Sequence, residues 1–172
     1  MFNHLIRHVL RGPVTEPAPE PDPVILKALG EKVDDLARKH LGRSLSIREV
    51  DAGSCNGCEL EIHALNNPIY DLERFGIRFV ASPRHADVLL VTGPVAHNMR
   101  EALRRTWEAT PDPKWVIACG QCAIDGGVFA DSYAVAGGVE AVIPVDVKIP
   151  GCPPRPVALL SGLLALLETV AD

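Results

Sequence analysis

Apolar positions along the chain recur with two alternating periods. Behind Pro23, the residues Ile25, Leu26, Leu29, Val33, Leu36 and Leu41 share one helical face, and Gly42 is placed as a C-cap. SIREV (46–50) then reads as a strand, followed by a cysteine-bearing turn and a helical segment, CELEIHALNN (58–67). IRFVA (77–81), DVLLVTG (87–93), KWVIAC (114–119) and AVIPVDV (141–147) predict four further strands. Met99, Leu103 and Trp107 predict a helix over residues 98–109, and a last helix is expected from about Arg155 to Val170. Strands alternating with helices imply an α/β fold, a mostly parallel sheet with helices on both faces.

Ahead of this pattern, Phe2, Leu5, Ile6, Val9 and Leu10 recur at helical spacing among His4, Arg7, His8 and Arg11. This reads as a short amphipathic helix for a partner groove or a membrane surface, or equally as a frayed terminus, because isolated short helices are marginal. GPVTEPAPEPDP (12–23) alternates proline with acidic and small residues and predicts an extended linker. The expected organisation is an N-terminal helix and Pro-rich arm over residues 1–23, then one α/β domain over 24–172.

Composition narrows the function. A chain of 172 residues, 47% of them apolar, is long enough for one domain with a real core. Aromatics at 5% leave that core to Val, Leu, Ile and Ala. The net charge of −5 comes without a basic run, which argues against a nucleic-acid partner. No stretch reaches the roughly 18 apolar residues of a membrane span, since Ser161 and Gly162 interrupt the best candidate. The segment MFNHLIRHVLRG has basic residues inside its apolar stretch and no small-residue cleavage site, so no secretory signal is read. Five cysteines then suggest a reducing compartment and metal or redox chemistry rather than disulfides.

Those cysteines lie in GSCNGCE (53–59), CGQCA (119–123) and PGCPP (150–154), each closely following an apolar strand. In an open parallel sheet the carboxyl ends of the strands converge on one edge, where ligands bind. Three segments distant in sequence can therefore meet there. An iron–sulfur cluster needs thiolates with closely approaching backbone, and Gly53, Gly57, Gly120 and Gly151 supply that freedom. Pro153 after Cys152 fits the last ligand of ferredoxin-type runs. The expected ligands of one [4Fe–4S] cluster are Cys55, Cys58, Cys122 and Cys152. Spacing alone does not settle Cys122 against Cys119. Cys119 completes the apolar run WVIA, whereas Cys122 sits further into the loop, which favours Cys122. A zinc site on the two CxxC pairs would leave Cys152 idle, and a thioredoxin-like dithiol would leave the other cysteines unexplained.

The segments GSCNGCELEI, FGIRFVASPRHADVLLVTGPV, GQCAIDGG and IPVDVKIPGCPPRP resemble the small subunit of membrane-associated, energy-converting (group 4) [NiFe]-hydrogenases of the formate-hydrogenlyase type. The same superfamily includes the iron–sulfur subunit beside the quinone site of respiratory complex I. The resemblance covers about residues 46 to 168 and implies a flavodoxin-like fold, with Cys55, Cys58, Cys122 and Cys152 as ligands and Cys119 outside the ligand set. It further implies a proximal cluster beside a Ni–Fe centre held by a [NiFe]-hydrogenase-like large subunit, where the bond-making chemistry resides. Electrons would pass through a ferredoxin-like polyferredoxin subunit, in a complex on the cytoplasmic side of the inner membrane. Complex I relatives carry adjacent cysteines in the first motif, and Cys-Asn-Gly-Cys here favours the hydrogenase branch. The alternative is a complex-I-like subunit passing electrons to quinone.

Around the cysteines, Glu59 and Glu61 invite a functional reading. Glu59 reads first as a helix-start residue favoured by the helix dipole, and second as a group that tunes the cluster or assists proton movement. His63, His85 and His97 lack ligand spacing and read as structural, while Arg84, His85 and Arg155 lie in loops able to meet a partner. No Walker loop, dinucleotide fingerprint or nucleophile elbow is present.

Overall fold

Strands β1 (Leu45–Asp51), β2 (Ile77–Phe79), β3 (Val88–Thr92), β4 (Trp115–Cys119) and β5 (Val147–Ile149) form one sheet in the order β2-β1-β3-β4-β5, with every pairing parallel. This is the flavodoxin-like order, in which the ligand crevice lies at the carboxyl ends of the strands near the β1/β3 switch point. The computed structural model describes residues 23–170, so the expected N-terminal helix and nearly all of the Pro-rich linker lie outside the described residues. The helices are α1 (Pro23–Leu41), α2 (Gly57–Ala64), α3 (His97–Ala109), α4 (Gln121–Asp125) and α5 (Pro156–Val170). Among the described residues, no helix is long and apolar enough to cross a membrane.

Strand alternation divides the interior into two cores. Leu45, Ile47, Leu90 and Ile117 pack beneath α1, α2 and α5, against residues such as Val33, Ile62 and Leu160. Val50, Leu89, Val91 and Val116 face the other way, onto Leu103 of α3 and Val139. Each fully buried aliphatic side chain contributes about 1.5–3 kcal/mol relative to exposure. Strand β3, central in the sheet, is buried at every position, which explains why VLLVT lacks a polar alternate. The α1 stop follows its sequence signal, since Gly42 takes φ +65° and donates its N–H to Arg38 C=O at 3.0 Å.

One expected strand moves. Residues 141–147 do not form it: Val139–Ala141 is a 3-10 turn, and the strand is Val147–Ile149. Pro144 has no N–H to give a ladder, and Val142, Ile143 and Val145 instead pack into the second core. Pairing with β4 begins at Asp146, whose N–H donates to Val116 C=O at 2.9 Å while its carboxylate accepts from Val116 N–H at 2.7 Å. The shift places Cys152 directly beyond the strand end. The expected β2 also ends early, at Phe79.

At the sheet end away from the cysteines, the buried carboxylate of Asp87 accepts from Ser46 N–H at 2.9 Å and from Arg43 Nη2 at 2.6 Å. It ties the start of β3 to β1. Asp87→Ala strands a buried amide and is expected to cost about 1–3 kcal/mol in urea unfolding, while metal content per folded chain stays unchanged. A loss below about 0.5 kcal/mol would mean this clamp contributes little.

Candidate metal centre

The loop after β1 is organised by its own residues. Asp51 closes it by accepting from Gly53 N–H at 2.8 Å and Ser54 N–H at 2.7 Å, and Ser54 Oγ accepts from Asn56 N–H at 3.1 Å. Asn56 takes φ +70°, a left-handed conformation that asparagine tolerates better than most residues, and α2 starts at the next residue. Cys55 and Cys58 thus bracket a tight turn into a helix. The loop after β3 supports this turn from below: Ala52 N–H donates to Thr92 C=O, Ala96 N–H donates to Ala52 C=O, and Gly93 packs against the Ser54 backbone.

The other two segments are bound to each other. Gly120 N–H donates to Ile149 C=O and Gln121 N–H to Gly151 C=O, both at 2.8 Å, so the pairing of β4 with β5 continues past the strands. Cys122, one residue inside α4, and Cys152 are thereby set side by side. A Cβ on Gly120 would lie 2.6 Å from Cys58 Sγ, so the first cysteine loop touches this pair. The result is a cavity of about 80 Å³ lined by Cys55, Cys58, Cys122 and Cys152, together with Gly57, Gly93 and Gly151. Organic cofactors and ligands occupy about 300–1,000 Å³, so this crevice does not suit the flavin that the same strand order can bind.

All five cysteines are free thiols, with Cys55 and Cys152 exposed, Cys58 and Cys122 half-buried, and Cys119 buried. Their electrostatics report their proximity. Burial raises the Cys122 pKa, with further increments from Cys152, Cys55 and Cys58, while a hydrogen bond from the Val128 backbone opposes them. The Cys119 thiol hydrogen-bonds to the Cys58 sulfur, which lowers the Cys58 pKa and, together with burial, raises that of Cys119. Were the four thiols to ionise together, their mutual repulsion would call for a cationic group among them. Among the described residues, no three His, Cys, Asp or Glu side chains close on a single metal ion. One tetrahedral zinc at about 2.3 Å from each sulfur draws the sulfurs to within about 4 Å of each other. A polynuclear cluster, with each cysteine on its own iron, would not require the thiols to close on one ion and would suit the close-approaching backbone.

Other expectations resolve differently. Glu59 does lie in the first turn of α2, as expected, but it is 6% exposed and buried with Ile62, and neither carboxylate oxygen has a hydrogen-bond partner among the described residues. Glu61 on the same helix is only half-buried, and His63, His85 and His97 are exposed on separate elements. Sequence reasoning missed Gly93, Gln121 and Val128. The Gly-Pro after β3 was a visible turn signal for the first, but Val128 acts through its backbone and leaves no side-chain signature.

An α/β domain with thiols from three strand ends at its crevice defines the class. The chain belongs to the family described as NADH ubiquinone oxidoreductase, 20 Kd subunit, which matches residues 55–166, and is thus a subunit of an oxidoreductase complex. It is 50% identical over 145 residues to the probable membrane-bound hydrogenase subunit mbhJ of Pyrococcus furiosus, covering 84% of this chain and 86% of that one. It is 53% identical over 133 residues to formate hydrogenlyase subunit 7 of Escherichia coli, covering 76% of this chain but 52% of that one, about half its length. A chain in the structure of the membrane-bound sulfane sulfur reductase, an archaeal respiratory membrane complex, superposes with a TM-score of 0.66 at 38% identity, covering 87% of this chain and 76% of that one.

Gly120→Ala tests the close approach. Gly120 has φ +90° and no room beside Cys58 Sγ, whereas Gly42 has φ +65° and nothing within 4 Å of a built Cβ. Both variants are expected to lose about 1 kcal/mol or more from backbone strain. Only Gly120→Ala is expected to lower bound metal per chain, by half or more. Equal metal content in the two variants would show that the contact with Cys58 does not matter.

Proposed function

We infer that this chain is the electron-transfer subunit of a multi-subunit, membrane-associated [NiFe]-hydrogenase, holding one [4Fe–4S] cluster on Cys55, Cys58, Cys122 and Cys152. The observation that carries this reading is that these four thiols, from three separated segments, line one small cavity at the carboxyl edge of the sheet. When bound, the cluster supplies reversible one-electron transfer. The chain's own residues would hold it: Gly57, Gly120 and Gly151 give the backbone room to approach, and the Val128 backbone lowers the Cys122 pKa against the burial that raises it. Exposed Cys55 and Cys152 mark the side that a large subunit carrying the Ni–Fe centre would cover. The second route for electrons leads to a ferredoxin-like polyferredoxin subunit. Half identity to a membrane-bound hydrogenase subunit along most of both chains supports this assignment and a peripheral place among membrane subunits; the cytoplasmic side of the inner membrane is part of the same proposal.

A complex-I-like subunit passing electrons to quinone is the second reading, favoured by the family description that matches residues 55–166. The Cys-Asn-Gly-Cys spacing of the first motif weighs against it. The arm of residues 1–23 joins the assembly in either case, fastening the domain to neighbouring subunits or to the membrane.

Iron, nickel and zinc analysis of the anaerobically purified complex, with electron paramagnetic resonance (EPR), tests the assignment. Iron with nickel is expected, with Cys122→Ser abolishing one cluster signal and Cys119→Ser retaining it. Iron without nickel moves the assignment to the quinone-type relative, and zinc in place of iron ends it. Deleting residues 1–22 is expected to release the subunit from the complex while its domain stays folded. Full assembly of the truncated chain would remove the arm's role.

A further inference from the structure

Among the proposed ligands, Cys122 has the chain doubling back over its sulfur. Behind α4 come two glycines with positive φ, Gly126 at +93° and Gly127 at +52°. Gly126 N–H donates to Cys122 C=O at 2.9 Å, and a Cβ built on Gly127 would lie 2.8 Å from Cys122 Sγ. The turn over residues 126–129 is therefore a wall against which the Cys122 sulfur rests. Two consecutive glycines give such a wall little stiffness of its own.

Asp125 supplies the stiffness. Its Oδ1 accepts from Gly127 N–H at 2.8 Å, and its Oδ2 accepts from Gln121 Nε2. Gln121 lines the same cavity, and its own N–H donates to Gly151 C=O at 2.8 Å, in the segment that carries Cys152. Hydrogen bonds thus run from the Cys152 segment through Gln121 and Asp125 to the turn that meets Cys122. Asp125 itself is exposed, belongs to neither core and does not line the cavity. Packing gives no reason for an acid there, since exposed side chains remote from a core usually change stability little when replaced.

We propose that Asp125 is a positioning residue for the metal centre: bonded to Gln121 and Gly127 at once, it fixes the 126–129 turn against Cys122 and so fixes where that sulfur sits. The role is one of geometry and not of charge. Asparagine in its place retains it, because the side-chain oxygen accepts from Gly127 N–H and the amide meets Gln121 with the Gln121 amide reversed. Alanine loses both bonds. Removing a group that orients a metal ligand costs about 10–100-fold in metal affinity, although the group touches no metal. This role rests on Cys122 being a ligand of the cluster assigned above.

The test compares the anaerobically purified wild-type complex with Asp125→Ala, Asp125→Asn and Asp131→Ala, the last removing an exposed carboxylate from the same loop. Two quantities are read: the rate at which iron is lost to a chelator, and the line shape of the cluster's EPR signal. Asp125→Ala is expected to lose iron at least about tenfold faster and to change the line shape. Asp125→Asn and Asp131→Ala are expected to stay near wild type in both. A merely structural role predicts a lower melting temperature with the line shape of the remaining cluster unchanged. Unaltered iron loss and line shape in Asp125→Ala overturn the inference. So does Asp125→Asn or Asp131→Ala behaving like Asp125→Ala, which would make charge responsible in place of bonding. If the wild-type complex lacks an iron–sulfur signal, or Cys122→Ser leaves every signal intact, the cluster assignment fails and takes this role with it.

Discussion

Two backbone hydrogen bonds beyond the last paired residues of β4 and β5 hold the candidate centre together. Gly120 N–H to Ile149 C=O and Gln121 N–H to Gly151 C=O, each at 2.8 Å, carry parallel pairing out of the sheet and into the cysteine loops. A parallel sheet directs its carboxyl ends to one edge but does not by itself bring loops into contact. Here the ladder extends until the Cys122 and Cys152 segments are fixed relative to each other. Side chains must then stay out of the way. Gly120 adopts φ +90°, which an L-residue rarely takes, at the point where Cys58 Sγ presses on the backbone. The same glycine thus satisfies a conformational and a steric demand, and the Cys58 side of the cavity depends on both.

Much of this was legible in the sequence because it rests on periodicity and on residues with distinctive chemistry. The buried strands WVIAC and VLLVT, the helix behind Pro23 and the placement of cysteines after strands all follow from local pattern. The choice of Cys122 over Cys119 followed from the same logic. An apolar run ending in cysteine points to burial, and Cys119 is indeed within the core while Cys122 lines the cavity. The fifth strand was misplaced because AVIPVDV has strand-like composition, and only tertiary packing of Ile143 and Val145 shows that those residues serve the second core. Pro144 was the signal that should have moved the strand forward.

Glu59 was less legible for a different reason. Acidic residues in the first helical turn are common and favourable, so the sequence points to a helix-start position near the dipole and says nothing of burial. The orientation of α2 decides the burial. The helix begins at Gly57, and Ile62 must reach the sheet, which turns residue 59 inward as well. A one-residue shift in the helix start would have pointed a different side chain at the core. Such facing depends on the Asp51 and Asn56 turn geometry rather than on the local amino-acid pattern.

Negative charge dominates the region. Glu49 has its pKa raised chiefly by burial, with Glu59 and Asp51 adding to the shift and His63 and Arg48 only partly offsetting it. Burial raises the Cys122 pKa first, and the neighbouring Cys152, Cys55 and Cys58 add to it. A site with this balance resists ionisation of its thiols, and a bound metal would relieve that resistance by supplying cations. On the ligand side, a metal-bearing state would be electrostatically favoured over an empty one.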